Sequence, residues 1–384
     1  MPDSESVILY GCPPSLYSGK VRSYLRKAGI SYEERLQSHP DYKTKILPVV
    51  GRMVIPVLET PSGTIIQDTT EIIDFLEKNS EQPLGIYPST PQQKIVSLII
   101  EMFGDEGLLR PAMHYRWNFP EQNDYFISME FGRFMNPNST EEEAYQLAAM
   151  PKAAMQRYLP GLGITPASIP AIEQKYKNLL AALNEHFLHH PYILGGKPTI
   201  ADFGLYGPMY AHLARDPAPE MLMKTTANRV WRWVERMTAP DRDAPEFPNI
   251  MPETTQGDMI PDTLKAILKL IAQDYLPEIE ALVAFINTHL EHAGPFEAGT
   301  PIITDANKRV LGGITVPIGE AEVSIGARHY SLWMLQRVQA AFDVLDQIEQ
   351  TQIVSLLTEV GLNKLISVRT HQSISRINYK EVWA

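Results

Sequence analysis

The chain has 384 residues, one cysteine and a formal net charge of −11. That length exceeds the usual reach of one hydrophobic core and predicts two or three domains. The acidic balance, with no Lys/Arg block, argues against a nucleic-acid binder, and a single cysteine excludes an internal disulfide and suits a reducing compartment. The start, MPDSESVILYG, is acidic where a secretory leader is basic, and no apolar run reaches the length of a membrane span. A cytoplasmic protein without membrane insertion is expected.

In chain order, Val7 to Tyr10 reads as a first strand. Val21, Tyr24, Leu25 and Ala28 then share one helical face, with Gly29 as the stop signal. Ser31 to Leu36 is a second strand. Val54 to Glu59 and Thr64 to Gln67 form a hairpin around the turn residues Pro61, Ser62 and Gly63, and a helix starts near Asp68. The order is β-α-β-(irregular or α)-β-β-α. The proline-rich stretch Glu81 to Gln92 reads as a connection. Beyond it Ile95, Leu98, Ile99, Met102 and Phe103 trace one helix face, and Ile172, Tyr176, Leu179, Leu180, Leu183 and Phe187 trace another. Ala239 to Thr263 reads as a second linker. Leu264 to Leu290 is helical, divided at Pro277. Residues 294–327 are expected to hold a small hairpin or ordered loop, and a last helical stretch begins near His329 and runs past Phe342 and Ile348.

Three segments carry chemistry. The first, Leu9-Tyr-Gly-Cys-Pro-Pro-Ser-Leu-Tyr-Ser-Gly-Lys-Val-Arg-Ser-Tyr-Leu25, sets a strand, a proline turn and a helix start in succession. Unpaired N–H groups and the positive end of the helix dipole stabilise a thiolate there. The second, Val54-Ile-Pro-Val-Leu58, followed by Ile65-Ile-Gln-Asp-Thr-Thr, places a proline inside an apolar strand-like run, which calls for a bend or a cis bond. The third, Tyr192-Ile-Leu-Gly-Gly-Lys-Pro-Thr-Ile-Ala-Asp202-Phe, contains a Thr199-x-x-Asp202 capping box opening an apolar helix.

Together these segments resemble the cytosolic glutathione transferase superfamily over about residues 7–237, of the serine type. The resemblance implies a thioredoxin-like α/β domain (1–82), an all-α C-terminal domain (91–239) and a mainly helical extension (260–384) of unassigned role. It implies glutathione as co-substrate, a small hydrophobic or aromatic electrophile as second substrate, and a homodimer. Aligning Lys20-Val21-Arg22 with the basic-Val-basic stretch of two classes puts Ser15 at their catalytic serine. Its hydroxyl would donate to the glutathione sulfur, and serine at a helix start also caps the helix. Tyr17 is the competitor, since other classes use a tyrosine. Cys12, three residues upstream, reads either as a buried strand-end thiol or as a reactive one. The same resemblance makes Pro56 the cis-proline and Ile55 the residue that pairs with the cysteinyl backbone. It makes Asp68-Thr69 the pair that holds the γ-glutamyl carboxylate, with Thr69 also read as a helix cap. Arg52, Lys43 and Lys45 could hold the glycine carboxylate or be solvated charges. Val54 stands where many members have a polar side chain, and Asp-Thr replaces the commoner Glu-Ser.

His114-Tyr-Arg-Trp117 reads either as an electrophile contact, through charge and stacking, or as packed aromatics with a surface arginine. The histidines are read as showing neither an H-x-x-x-H nor an H-E-x-x-H spacing, so no metal site is expected, and His186, His189 and His190 read as the wet end of a helix. Two function classes stay open. One is an enzyme of glutathione conjugation, glutathione-dependent isomerisation or ether cleavage. The other is a non-catalytic binding or assembly protein with the same fold.

Overall fold

The computed structural model describes residues 6–305, 308 and 310–384. Residues 1–5 of the acidic start, and 306, 307 and 309 of the expected hairpin segment, lie outside the described residues. The elements follow as β1 (Val7–Tyr10), α1 (Leu16–Lys27), β2 (Tyr32–Arg35), α2 (Leu47–Val50), β3 (Val57–Glu59), β4 (Ile65–Gln67) and α3 (Thr69–Asn79). Next come α4 (Pro91–Met102), α5 (Leu109–Trp117), α6 (Pro120–Met135), α7 (Glu141–Gln156), α8 (Ile169–His189), α9 (Ile200–Ala211), α10 (Pro217–Thr226) and α11 (Asn228–Thr238). The chain ends with α12 (Asp262–Asp274), α13 (Leu276–Ala293), β5 (Gly313–Ile318), β6 (Ala321–Gly326), α14 (Tyr330–Asp343), α15 (Gln347–Val360), α16 (Lys364–Ser367), β7 (Ile374–Ile377) and β8 (Lys380–Trp383). Two compact units divide it, and each gathers segments that are distant in sequence.

The first unit comprises Met1–Ile86, Ala112–Tyr158 and Asp202–Ile250. Its sheet has the order β2-β1-β3-β4, with β1 parallel to β2 and antiparallel to β3, and β3 antiparallel to β4. With α1 and α3 this is a thioredoxin-like α/β domain. Leu9, Tyr10, Val21, Tyr24, Leu25, Leu58 and Ile72 are sealed from solvent in its core. Gly29 ends α1 at φ 64°, a left-handed conformation that costs glycine little. The third strand begins at Val57 rather than Val54, because Pro56 brings no N–H to a ladder; the Ile55–Pro56 bond is cis. In α9 the fully buried Asp202 accepts from the Trp233 indole N–H at 3.1 Å, which fixes α11 upon it. Thr199 stands directly before that helix, also fully buried.

The second unit comprises Tyr87–Pro111, Leu159–Ala201 and Met251–Ala384. Here α12 packs on α8, while α14 and α15 pack on α4. The Pro/Asp-rich stretch read as a linker has a structural task. Thr90 leaves α4 without a side-chain cap, and Asp258 supplies one by accepting the N–H groups of Gln92 and Gln93, each at 2.9 Å. Deep inside, Arg328 bonds Glu278 at 2.9 Å and Arg110 bonds the other oxygen of Glu278 at 2.6 Å. The Ser331 hydroxyl donates to Glu106 at 2.9 Å. The expected hairpin is β5–β6, with Ile314, Val316 and Ile318 turned inward in strict alternation. The last helical stretch is two helices, because Asp346 accepts from the N–H groups of Ile348 and Glu349 and so starts α15 afresh. The hairpin β7–β8 was not anticipated; its turn is Asn378-Tyr379, both at positive φ.

Candidate functional site

Register brings three loops of the first unit to one end of its sheet. Tyr10 is the cross-strand partner of Val57, and Val57 is in turn the partner of Gln67. Gly11 to Ser15 follow Tyr10, Ile55–Pro56 precede Val57, and Asp68–Thr69 follow Gln67. Three loops that are far apart in sequence therefore leave from adjacent strand ends.

Ser15 is the N-cap of α1 and half-buried. Its backbone is extended and its Oγ accepts the Ser18 N–H at 3.2 Å. That bond occupies a lone pair and leaves the hydroxyl hydrogen for another acceptor. Tyr17, the second residue of α1, is also half-buried. Cys12 is only 6 % exposed, and burial pushes its thiol up to about 12, with Arg22 opposing. Such a thiol is overwhelmingly protonated near neutral pH. Arg22 is buried against Glu34, with Nε to Oε2 at 2.7 Å and Nη2 to Oε1 at 2.5 Å, and it also donates to the Cys12 carbonyl at 3.2 Å.

On the second loop both backbone polar groups of Val54 are bonded to the Tyr42 hydroxyl. Tyr42 stands in a π-helical turn, Tyr42–Ile46, and sequence reasoning passed it over. On the third loop the N-cap of α3 is Asp68, not Thr69. The Asp68 carboxylate accepts the Thr70 N–H at 3.0 Å, while Thr69 is the buried first residue of the helix. Asp68 holds φ 93° and ψ 140°, a conformation that costs a non-glycine residue about 1–3 kcal/mol and concentrates at ligand clamps. Arg52 is half-buried, and Lys43 is exposed. Lys45 is exposed but engaged by Asp41 at 3.6 Å and Glu59 at 3.7 Å.

The reading of His114-Tyr-Arg-Trp117 as packed aromatics with a surface arginine holds for the rings but not for the arginine. Tyr115 stacks on Phe119 and His114 meets both edge-on, as packed aromatics do. Arg116, however, is no surface arginine: its side chain is 3 % exposed and forms a bidentate pair with the buried Asp216. A cleft of about 530 Å³ lies elsewhere in the same unit. Phe126, Tyr210 and Trp231 give it aromatic walls, and Arg215, Glu220 and Glu235 give it charge. Tyr210 also packs against Gly19 of α1, where an added Cβ would meet its ring at 3.3 Å.

His186 is not at the wet end of a helix. It is fully buried, its Nδ1 lies 2.9 Å from the Thr263 hydroxyl, and its ring stacks on His190, four residues on, at 4.8 Å. Burial lowers its pKa to about 3. Sequence reasoning overlooked this four-residue spacing. Among the described residues no group of three or more His, Cys, Asp and Glu side chains is placed to hold a metal ion, and no helix is long and apolar enough to cross a membrane.

A thioredoxin-like sheet whose loops leave adjacent strand ends is followed in the chain by helices, one of them opened by a buried Thr-x-x-Asp. Residues 9–84 match the family described as "Glutathione S-transferase, N-terminal domain", and residues 166–236 match "Glutathione S-transferase, C-terminal domain". The two matched stretches correspond to the N- and C-terminal domains of the glutathione S-transferase superfamily, and an additional, mostly helical region lies beyond about residue 240. No curated protein matches the sequence. Among solved structures it is similar to the beta-etherase LigF from Sphingobium sp. strain SYK-6, at 18% identity over 61% of this chain and 95% of that one, TM-score 0.42. It is also similar to a glutathione S-transferase from Methylobacterium radiotolerans JCM 2831 in complex with glutathione sulfonate, at 17% identity over 65% and 99%, TM-score 0.38. A glutathione transferase family member from Pseudomonas fluorescens Pf-5 with two glutathione bound shares 16% identity over 62% and 89%, TM-score 0.35.

Proposed function

We propose that this protein is a glutathione transferase, which binds glutathione at this end of the sheet of its first unit and activates the thiol for attack on a small hydrophobic or aromatic electrophile. The observation that carries the reading is the register Tyr10–Val57–Gln67, which sets the Ser15, Ile55–Pro56 and Asp68–Thr69 loops side by side. In this reading Ile55 offers its backbone to the cysteinyl part of glutathione. The first turn of α3, with Asp68 and Thr69, receives the γ-glutamyl end, and Arg52 attracts the glycine carboxylate.

Ser15 is the thiol activator. Its free hydroxyl hydrogen and the positive end of α1 both favour a thiolate at neutral pH. The protonated state of the buried Cys12 thiol argues against it as the reactive group, and Tyr17 remains the competitor. The aromatic walls of the cleft around Phe126, Tyr210 and Trp231 suit an aromatic electrophile. Exposed Val49 and Met53, close in sequence to the Ile55 loop, support a homodimer through this face, and the acidic, nearly cysteine-free composition supports a cytoplasmic location.

Titration calorimetry with reduced glutathione tests the binding half. No heat at millimolar glutathione with folded protein would set the enzyme reading aside in favour of an assembly protein. Turnover with aromatic halide, epoxide and aryl-ether electrophiles then tests the chemistry.

A further inference from the structure

The turn that delivers Ser15 is poor in its own hydrogen-bond donors. Pro13 and Pro14 bring no N–H, so the carbonyls of Cys12 and Pro14 must find partners elsewhere. Cys12 O receives the Ser15 N–H at 3.2 Å and Arg22 Nη2 at 3.2 Å. Pro14 O receives Arg116 Nη1 at 2.9 Å, from the last turn of α5. Each of these two arginines is buried and held by a carboxylate, Glu34 for Arg22 and Asp216 for Arg116.

The Arg116 guanidinium has all of its N–H groups engaged. Nε donates to Asp216 Oδ2 at 2.6 Å; Nη2 donates to Asp216 Oδ1 at 2.9 Å and to the Ala211 carbonyl at 2.7 Å. Nη1 reaches both Pro14 O and His212 Nε2, the latter at 2.7 Å. Since Nη1 can only donate, His212 accepts through Nε2 and is neutral; burial and the adjacent guanidinium both keep its pKa well below the usual value. Burial pushes the Asp216 carboxyl up, and Arg116 pulls it back. Because the peptide unit is planar, holding Pro14 O fixes the plane that contains the Ser15 nitrogen and Cα, the atom from which the Ser15 side chain departs.

We infer that Arg116 is a positioning residue: propped by Asp216 and His212, it grips the Pro14–Ser15 peptide and aims the Ser15 hydroxyl. The aiming role rests on Ser15 being the thiol activator; the grip on the turn does not.

Cys12, the only cysteine, reports on the turn by itself. In the protein without glutathione, the rate of Cys12 modification by an aromatic disulfide reagent measures how often the turn opens. Arg116→Lys keeps a positive charge for Asp216 but loses the planar fork that spans Asp216, Ala211 and Pro14. It is expected to speed Cys12 labelling about tenfold, the change that corresponds to about 1.4 kcal/mol. With glutathione bound, it is expected to raise the thiol pKa, read by thiolate absorbance, by about one unit while glutathione affinity changes less than about threefold. His212→Gln, which leaves the ion pair in place, should give a smaller change in the same direction and serves if Arg116→Lys does not fold. Ile127→Ala, a cavity at a buried position of α6, is the control: it should lower thermal stability without moving either readout.

Unchanged Cys12 labelling in the Arg116 and His212 variants overturns the grip, as does equal acceleration in Ile127→Ala. Faster labelling beside an unmoved thiol titration overturns the aiming role. If the unsubstituted protein binds no glutathione, the functional reading and the aiming role fall together, while the labelling rates still decide the grip.

Discussion

The Tyr42 hydroxyl holds Val54 by both of its backbone polar groups, donating to the carbonyl oxygen at 2.6 Å and accepting the amide N–H at 2.9 Å. Val54 immediately precedes Ile55, so this one hydroxyl sets the direction in which the Ile55 backbone is presented. Tyr42→Phe removes both bonds and keeps the ring packed edge-on against Tyr10. Glutathione affinity is expected to fall roughly tenfold, about 1.4 kcal/mol, as measured by calorimetry. An affinity equal to that of the unsubstituted protein would show that the loop holds its shape without Tyr42.

Ser15→Ala separates two roles that meet in one hydroxyl. As a helix cap, losing the bond from Ser18 N should cost about 1 kcal/mol of stability. As a donor to a charged sulfur, its loss should cost about 1.5–3 kcal/mol and raise the bound thiol pKa by roughly one to two units. Ser15→Asn retains a cap acceptor, so it should recover stability but not thiolate formation. Titration of thiolate absorbance in both variants, beside Tyr17→Phe, decides between Ser15 and Tyr17; a shift confined to Tyr17→Phe would move the role to the tyrosine.

What the sequence disclosed was local. Ser15 stands at the helix start it caps, whereas the sequence points to Thr69, one residue past Asp68, for the cap of α3, and a cap works through a side chain reaching N–H groups two or three residues on. The β5–β6 hairpin was foreseeable from its Gly, Val and Ile content, whereas Asn378-Tyr379 hid β7–β8 because tyrosine seldom takes a positive φ. Arg116 was misjudged because its partners, Asp216 and His212, lie about a hundred residues away and nothing local announces a buried ion pair. The Pro/Asp-rich stretch after Met237 was read as a linker from composition alone, although Asp258 within it finishes α4.

That cap gives a third expectation. Asp258 accepts two N–H groups at the positive end of α4, so Asp258→Ala should destabilise the second unit by about 1–2 kcal/mol. Denaturant unfolding checks it. Asp258→Asn should lie between the two, since the amide oxygen replaces only one of the carboxylate acceptors; an alanine variant as stable as the parent would mean that water caps the helix equally well.

Acid should loosen the same unit through His186. Its folded pKa is lowered to about 3, whereas an unfolded histidine titrates near 6.5. Below about pH 6.5 the unfolded chain therefore binds a proton that the folded one refuses, and stability falls by up to about 1.4 kcal/mol per pH unit as the pH drops toward 3. Above pH 6.5 this contribution is constant. His186→Gln should flatten the decline in melting temperature between pH 6.5 and 5; identical slopes would assign the acid sensitivity to other groups.

The interleaving of segments has a consequence for how the protein is made. Tyr87–Pro111 and Leu159–Ala201 share a compact unit with Met251–Ala384, so α4 and α8 leave the ribosome long before α12, α14 and α15 exist to cover them. At roughly 5–20 residues per second, their apolar faces stay bare for on the order of ten seconds or more, a wait that favours chaperone capture. Nascent chains stalled near residue 250 should accordingly be cut by protease within Tyr87–Pro111, and chains released at full length should not. For this molecule the last third of the gene completes a core begun in the first.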